Sequence, residues 1–342
     1  MLSFSFNNNK CNWSLSMKDR LRMTKKIGIV ASLTSILLAT SATASDFPSS
    51  MKLGTASQGG TYFIYGSGVA KLIQEKLNIS TSAEVSGGPI QNLALVEAGQ
   101  IDLGLTSTGP AQQSVEGKNP LMPGSQFPNL RVLFPMYQSA FQMASLTSSG
   151  VSTLEQLNGR TMGVGPKAGT TATYLPSILQ EVGINVTPRF GGAGDQAGQL
   201  QDGMIDSLGL AAGIPVTAFT QVEAQNAITP LGFSDAQVKS LTDVFPSLSP
   251  MTIKAGTYKG QNQDVQTVSM WNFVVANKQM SNDLAYAITK TILESNDDMM
   301  QVHRAAAESL AKNMVFNGVL PIHPGAAKYY REIGVDVCCE VE

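Results

Sequence analysis

Histidine and cysteine are scarce in this chain of 342 residues, which has two histidines and three cysteines. His303 lies in a helical pattern and His323 in a loop flanked by prolines, and neither has the spacing of a metal-binding pair or a nucleophile elbow beside it. The glycine-rich segment 163–170 misses the dinucleotide spacing by one residue and lacks the Gly-Lys-Ser/Thr ending of a phosphate loop. We therefore predict a protein that is not an enzyme, with no catalytic residue, no metal site and no cofactor, and we interpret both histidines as structural.

The cysteines are too few for a disulfide scaffold. Cys11 lies in an N-terminal leader, and Cys338 and Cys339 are adjacent near the C-terminus. Because a disulfide between neighbouring cysteines would be strained, we favour two thiols without a role in folding. The alternative is an intermolecular bridge.

Clusters of basic residues are also missing. The leader contains six of the 23 basic residues and one of the 25 acidic ones, which leaves 17 basic against 24 acidic residues and a net charge of −7. A chain of this charge has no electrostatic surface for nucleic acid or for an anionic membrane. A small anion can still bind where local dipoles outweigh the overall charge.

The leader has the pattern of a signal peptide. Lys25 and Lys26 precede an apolar run over 27–39, which ends in Ala-Thr-Ala at 42–44. The run is shorter than the roughly 20 apolar residues of a membrane-spanning helix, and no later run is long enough. We predict a signal peptide at 1–44, cleavage after Ala44, and a soluble, periplasmic mature protein without membrane insertion.

Two methionines could start the chain. Residues 1–22 are long and polar for the start of a signal peptide, whereas Met23 begins the sequence Met-Thr-Lys-Lys directly before the apolar run. We favour Met23 over Met1.

An internal repeat is the most informative pattern in the mature sequence. A strand that runs into glycine (51–54 and 160–163) is followed by a Gly-Thr pair at 60–61 and 169–170, and then by a helical stretch. Later in each copy a glycine pair precedes a helix that ends before Ile-Asp, at 101–102 and 205–206. The similar spacing predicts two related lobes, each with a mostly parallel sheet covered by helices.

The two lobes are expected to be joined by two extended connections, 130–147 and 265–276, which suggest a two-segment hinge. The fold class that we predict is α/β, a two-lobed periplasmic binding protein of type II. We assign residues 45–135 to lobe I and residues 136–269 to lobe II. Residues 270–342 return to lobe I, with a long helical stretch over 281–313, and 119–128 is predicted to be a surface loop.

The two Gly-Thr loops are the best candidates for a ligand site. Each is a strand-to-helix turn, where free amide N–H groups and the helix dipole attract anions. The candidate residues are Gln58, Gly59, Gly60, Thr61 and Tyr62 in the first loop, and Lys167, Gly169, Thr170 and Thr171 in the second. Ordinary helix capping would explain either loop alone, but two equivalent loops favour a shared cleft.

Other candidates lie where strands of an open parallel sheet end, since ligands bind at that edge. These are Ser86, Gly87, Gly88, Thr106, Ser107, Ala211 and Gly213. Tight turns are the alternative explanation for the glycines. Tyr137 and Trp271, on the two connections, are expected either to form a wall of the cleft or to belong to the core.

Several segments resemble one family of receptors. They are Gly-Gly-Thr-Tyr at 59–62, Ala-Gly-Gln-Ile-Asp-Leu-Gly at 98–104, Ser-Thr-Leu-Glu-Gln-Leu-Asn-Gly-Arg at 152–160, Ala-Gly-Thr-Tyr-Lys-Gly-Gln at 255–261, and Leu-Pro-Ile-His-Pro-Gly-Ala-Ala-Lys-Tyr-Tyr-Arg-Glu-Ile-Gly at 320–334. Together they make residues 51–337 similar to the TAXI group of TRAP-transporter solute receptors.

The resemblance implies a type II periplasmic binding protein that delivers its ligand to an ion-gradient-driven TRAP permease. It also implies a small carboxylate ligand such as glutamate, glutamine or 2-oxoglutarate. The wider group of TRAP receptors often binds the carboxylate with an arginine, which has no counterpart here, so helix amides and threonines would replace it. The alternatives are a binding protein of an ABC importer or sensor kinase, and a periplasmic enzyme on the same scaffold.

Overall fold

The computed structural model describes residues 47–337. Four features discussed above lie outside the described residues: the signal peptide at 1–44, the choice between Met1 and Met23, Cys11, and the pair Cys338 and Cys339. None of the helices within residues 47–337 has the length and hydrophobicity of a membrane span.

The first half of the fold, defined here as residues 47–129, alternates strands with helices. Its elements are β1 (Ser50–Gly54), α1 (Thr61–Leu77), β2 (Ser80–Glu84), α2 (Pro89–Glu97), β3 (Leu103–Ser107) and α3 (Thr108–Val115). α1 buries Tyr65, Val69 and Ile73, which recur every four residues and therefore lie on one face. It ends at Asn78, which adopts the left-handed conformation of many helix C-termini.

A long strand, β4 (Leu130–Leu146), connects this half to the second half, defined as residues 150–213. The second half has the same alternation of elements: β5 (Thr161–Gly163), α4 (Thr170–Glu181), β6 (Thr187–Arg189), α5 (Ala193–Gln201) and β7 (Ser207–Ala212). β3 is buried along its whole length, and β7 at all but one position. Burial on both faces is typical of strands in a parallel sheet that helices cover on each side.

The rest of the described chain adds strands to the sheet and helices to its faces. It comprises α6 (Thr217–Glu223), β8 (Ile228–Leu231), α7 (Asp235–Val244), β9 (Ser249–Ile253), β10 (Val265–Asn277), α8 (Asn282–Glu294), α9 (Asn296–Val302), the 3₁₀ helices Arg304–Glu308 and Ala311–Phe316, and α10 (Pro324–Glu332). Two further 3₁₀ turns follow β4, at Thr147–Ser149 and Glu155–Leu157.

The strands form one sheet in the order β2-β1-β3-β10-β4-β7-β5-β6, and β8 and β9 pair with β4 and β10. The strands β2-β1-β3 at one end are parallel, as are β7-β5-β6 at the other. The long strands β4 and β10 are antiparallel to each other and connect the two ends. The predicted connections 130–147 and 265–276 therefore correspond to β4 and β10.

Pro135 lies within β4, opposite Phe273 of β10. Proline has no amide hydrogen to donate to the neighbouring strand. The register of the two strands shifts between Trp271 and Phe273, beside the proline. We attribute the irregularity to this missing hydrogen bond.

The repeated Ile-Asp pairs have the same structural role in both halves. The Asp102 carboxylate accepts a hydrogen bond from the Lys52 amide in β1, at 2.7 Å. The Asp206 carboxylate accepts one from the Thr161 amide in β5, at 2.8 Å. Each aspartate therefore links the start of its own strand to the first strand of the same half.

The chain after β10 is helical over most of residues 281–313, but it forms several short helices and not one long one. The helix is interrupted at Ser295 and again at His303, and 3₁₀ turns follow. At the first interruption the Asn296 side chain donates to the carbonyl oxygens of Ala306 and Ser309, at 2.7 and 3.1 Å. These contacts with the following segment turn the chain back on itself, which a periodic pattern does not reveal.

The C-terminal segment packs on the start of β4. Ile322 bridges to Val132, and the Tyr330 hydroxyl donates to the Leu133 carbonyl at 3.0 Å. Residues 119–128 contain no helix or strand, as predicted. The division into lobes at 135/136 and 269/270 stays a prediction.

Candidate functional site

Four helices begin at one cavity between the two halves. The residues that line it are Ala56, Ser57, Gly60, Thr61, Tyr62, Gly88, Pro89, Pro166, Gly169, Thr170, Thr171, Ala193, Leu210, Ala211 and Ala212. They include the first residues of α1, α2, α4 and α5. The cavity of about 60 Å³ has room for roughly four to six water molecules, at about 10–15 Å³ for each.

The starts of α1 and α4 have nearly the same backbone geometry. Gly60 has φ −94° and ψ 156°, and Gly169 has φ −88° and ψ 158°. In each loop the glycine amide donates to the carbonyl three residues earlier, of Ser57 and of Pro166. Neither helix has a side-chain cap. The amides of a first helical turn have no partner within the helix, so both helices direct free donors and a partial positive charge at the cavity.

The starts of α2 and α5 are occupied by contacts between the halves. The Ile90 amide of α2 donates to the Ala168 carbonyl of the second half, at 3.2 Å. The amides of Ala193 and Gly194, in α5, donate to the Ser57 hydroxyl and the Gln58 carbonyl of the first half, at 3.1 and 3.2 Å. Of the four helix starts, α1 and α4 are therefore the pair available to a ligand.

Two threonine hydroxyls also connect the halves beside the cavity. The Thr61 hydroxyl donates to the Gly213 carbonyl at 3.2 Å, and the hydroxyls of Ser107 and Thr170 are 2.8 Å apart. Thr171 differs, because its hydroxyl accepts from the Ala211 amide of its own half, at 2.8 Å. Its hydroxyl hydrogen therefore remains available to a ligand.

Tyr62 lies between the cavity and the central strands. Its hydroxyl donates to the Asn272 side-chain oxygen at 2.6 Å, and the Asn272 amide group donates to the Tyr137 carbonyl and the Ser139 hydroxyl. Burial raises the pKa of Tyr62, and a hydrogen bond with Ser107 opposes that rise. The phenol therefore stays neutral and acts as a hydrogen-bond donor to Asn272.

Tyr137 is fully buried behind this wall. Its ring contacts the rings of Tyr62 and Tyr65 edge to face, with centroids 6.5 and 5.3 Å away. Among the described residues its hydroxyl has no hydrogen-bond partner. Tyr137 therefore has the surroundings of a core residue, which was one of the two expectations. Its ring nevertheless contacts Tyr62, which lines the cavity.

The cavity contrasts in charge with the surface around it. None of the fifteen residues that line it carries a charge. Lys167 and Asp195 are both exposed and lie outside this lining. Asp195 lines an adjoining cavity of about 550 Å³, which shares Ser57 with the first and is called the mouth here. Within residues 47–337, no group of histidine, cysteine, aspartate and glutamate is arranged to hold a metal ion.

The structure brings about half of the predicted site residues together. Those that line the cavity are Gly60, Thr61, Tyr62, Gly88, Gly169, Thr170, Thr171 and Ala211. Gln58 and Gly59 lie at the mouth. Ser86, Gly87, Thr106, Ser107, Tyr137, Lys167 and Gly213 do not line the cavity. A ligand contact for any of these residues stays a prediction.

Two of the residues outside the lining, Ser86 and Gly87, have hydrogen bonds within the first half. The Ser86 hydroxyl donates to the Thr55 carbonyl, and the Gly87 amide donates to the Gln91 side chain. The backbone of Gly213 packs closely against Thr61, since a Cβ at Gly213 would lie 2.9 Å from the Thr61 methyl group. Trp271 stacks on Phe316 at 4.4 Å and lines a different cavity, of about 580 Å³.

Sequence reasoning did not identify Ala56, Ser57, Pro89, Pro166, Ala193 and Leu210 as lining residues. Ser57 has a detectable signal, because it is a hydroxyl residue three positions before Gly60 in the same turn. Ala193 has none, since an alanine at the start of a helix has no distinguishing chemistry.

The two histidines each cap a helix start. Nδ1 of His303 accepts from the Ala305 amide, and Nδ1 of His323 accepts from the Gly325 amide. Nε2 of each ring contacts a carbonyl oxygen, of Pro215 and of Met280, at 3.2 and 3.0 Å. Burial lowers the pKa of both imidazoles, which favours this neutral form.

Comparison with known proteins places this geometry in a broader context. Residues 53–334 match the NMT1-like family. Three solved structures share the fold: a periplasmic transporter (15% identity, 83% of this chain and 92% of that one, TM-score 0.53), an R. palustris protein with adipate (13%, 85% and 97%, 0.58), and the periplasmic binding protein BugD (14%, 85% and 98%, 0.52). At these identities the likeness concerns the fold alone, and it confirms the predicted α/β class.

Proposed function

The chain belongs to the NMT1-like family, and from that premise we propose that it is a periplasmic solute-binding receptor for a small carboxylate. The ligand that we propose is a small mono- or dicarboxylate of the size of glutamate, glutamine or 2-oxoglutarate, which are the ligands that the resemblance implies. The partner is a TRAP-type permease, on the resemblance described above, and the protein binds its ligand without turnover.

One observation carries the proposal: the uncapped starts of α1 and α4 meet at the same cavity. Two helix N-termini, each equivalent to about half a positive charge, can together balance one carboxylate. The hydroxyl of Thr171, in the first turn of α4, adds a donor at the same cavity. A carboxylate can therefore be neutralised without a basic side chain. One protein of the same fold is known with adipate, which is a dicarboxylate.

The arrangement also supports binding by closure of the two halves. The ligand would contact α1 in the first half and α4 in the second, so it would favour the state in which the halves meet. The contacts between Ile90 and Ala168 and between Ser57 and Ala193 hold the halves together beside the cavity. A permease would then recognise this closed state.

The test is calorimetry and thermal unfolding of the purified protein with mono- and dicarboxylates. A carboxylate at a hundred times its Kd should stabilise the fold by about 2.7 kcal/mol. Thr171→Val should weaken binding by about 1.5–3 kcal/mol, roughly tenfold to hundredfold, because it removes a donor to a charged group.

Thr173→Val is the matched control, since the Thr173 hydroxyl donates to the Gly169 carbonyl within the same helix and does not line the cavity. Equal affinity losses in the two variants would mean that Thr171 does not contact the ligand. Failure of every carboxylate to bind or to stabilise the protein would refute the proposed function.

A further inference from the structure

Within the function proposed above, we propose that the cavity accepts small carboxylates that have no ammonium group and discriminates against α-amino acids. The ligand class narrows to unsubstituted, hydroxy and oxo acids. Three observations carry this proposal: the charge of the lining, the direction of its hydrogen bonds, and the position of Asp195 at the adjoining cavity.

The lining provides no negative charge to pair with an ammonium group. Its fifteen residues are small, apolar or hydroxyl-bearing, and none is an aspartate or glutamate. The helix starts of α1 and α4 direct positive partial charge at the same space. An ammonium group buried there would lose its hydration and meet repulsion, and a buried charge without a partner is strongly disfavoured.

The free hydrogen-bonding groups are mostly donors. The hydroxyls of Ser57 and Thr171 each accept from a backbone amide, of Ala193 and Ala211, so their hydrogens point to other partners. These two hydroxyls and the first-turn amides of α1 and α4 all suit oxygen atoms of a ligand. An ammonium group has three donors and no acceptor, so it cannot pair with the amides, and each of these two hydroxyls has only one neutral lone pair left for it.

The remaining hydroxyls offer few acceptors. The Thr61 and Tyr62 hydroxyls donate to Gly213 and Asn272 and keep only neutral lone pairs, and the Thr170 hydroxyl is paired with Ser107. Such oxygens can accept from a ligand hydroxyl, which has one donor. They cannot balance the positive charge of an ammonium group, which also has three donors to satisfy.

The acidic side chain at the adjoining cavity, Asp195, does not line the cavity itself. Asp195 is exposed in the first turn of α5 and lines the mouth, which shares Ser57 with the cavity. Since water screens an exposed charge, Asp195 does not replace a carboxylate inside the lining. An amino acid would have to leave its ammonium group unpaired or keep it in the mouth.

The experiment is calorimetry of the purified protein with ligand pairs that differ only at carbon 2. The pairs are lactate with alanine, 2-oxoglutarate with glutamate, and succinate with aspartate. In each pair with measurable binding, the member without the ammonium group should bind at least about tenfold more tightly. An amino acid that binds as tightly as its partner overturns this inference and leaves the proposed function intact. Absence of binding by all six compounds overturns the proposed function and this inference with it.

A negative charge introduced at Ser57 tests whether the uncharged lining causes the discrimination against amino acids. Ser57→Asp keeps an acceptor for the Ala193 amide and adds a negative charge to the lining, and Ser57→Asn is the uncharged control. Relative to the asparagine variant, Ser57→Asp should shift the preference toward the amino acid by at least about tenfold. An equal preference in the two variants, with unchanged thermal unfolding, would show that lining charge does not set the discrimination.

Discussion

The two halves of the molecule agree in their scaffold and differ at the cavity. Asp102 and Asp206 bind the first strand of their own half in the same way. At the cavity, by contrast, the residue after the first Gly-Thr pair is Tyr62, and the residue after the second pair is Thr171. The repeated residues therefore build two similar frames, whereas the residues that depart from the repeat give the cavity two unlike walls.

The difference lies in which groups are used within the fold and which stay free at the cavity. Tyr62 forms one wall of the cavity with a neutral phenol whose hydroxyl donates a hydrogen bond to Asn272. On the other wall, the hydroxyl hydrogen of Thr171 is free. The cavity therefore has an aromatic surface on one side and a free donor on the other. Substitutions at equivalent positions of the two halves can separate these roles.

The largest effect is expected at Gly54 and Gly163, which occupy equivalent positions. A Cβ at these residues would lie 2.6 Å from Ile101 Cδ1 and 2.8 Å from Ile205 Cδ1, respectively. Gly54→Ala and Gly163→Ala should each lower the free energy of unfolding by about 1–3 kcal/mol, because overpacking forces the isoleucine aside. Urea denaturation would measure it.

Gly198→Ala is the control for these two variants. Gly198 lies in α5, and a Cβ there would meet no atom within 4 Å. The substitution should stabilise the protein by about 0.5–1 kcal/mol, as alanine does in a helix interior. A loss of stability in Gly54→Ala alone would show that the two frames are not equivalent.

A smaller effect, on binding, is expected at Gly109 and Gly213, the seventh residues after the two aspartates. A Cβ at Gly109 would lie 2.6 Å from the Tyr174 hydroxyl of the second half, and one at Gly213 would lie 2.9 Å from the Thr61 methyl group of the first. Either alanine should hold the halves apart and weaken ligand binding by about tenfold, or about 1.4 kcal/mol. Calorimetry with the best carboxylate would check this.

Removing the obstructing ring provides the control for Gly109. In a Tyr174→Ala background, adding Gly109→Ala should leave the affinity unchanged, because the methyl group then has space. If Gly109→Ala weakens binding equally with and without the ring, contact with Tyr174 is not the cause.

The smallest effect is expected at the paired aspartates. The Asp206 carboxylate accepts from the Thr161 amide and hydroxyl and from Arg160, whereas the Lys52 amide is the donor to Asp102. Asp206→Asn should destabilise the fold by about 1 kcal/mol, and Asp102→Asn by about half of that. Equal losses would show that the extra donors at Asp206 contribute nothing.

The stabilisation by Asp206 should also depend on pH. The Thr161 hydroxyl, with the Thr161 amide and Arg160, holds the pKa of Asp206 below its usual range. The contribution is therefore complete above the unfolded pKa of about 4 and is lost as the pH falls through the lower folded pKa. Urea denaturation of the wild type and Asp206→Asn at pH 7 and pH 3 should give a smaller difference at pH 3.

The strands and helices of the two halves could be predicted well from the sequence. The predicted strands at 51–54 and 160–163 correspond to β1 and β5, and both Gly-Thr pairs begin helices. Such features depend on neighbours within a few residues, because glycine ends a strand and threonine begins a helix locally. The stretch 281–313 is largely helical, as predicted, but the local pattern did not predict the breaks at Ser295 and His303, beside which Asn296 contacts Ala306 and Ser309.

The site could be predicted only in part. Gly60, Thr61, Gly169 and Thr170 line the cavity because two equivalent helix starts point to the same space. Lys167 is next to this turn in sequence but is exposed and does not line the cavity. A residue's place beside a turn does not determine which way its side chain faces.

The sequence alone determined that two similar α/β halves exist and that each begins a long helix at a Gly-Thr turn. The tertiary structure decided which of four helix starts remain open to a ligand. The amides of α2 and α5 are occupied by Ala168, Ser57 and Gln58 of the opposite half. Those partners are far apart along the chain, so only the packing of the two halves brings them within hydrogen-bonding distance and leaves α1 and α4 free.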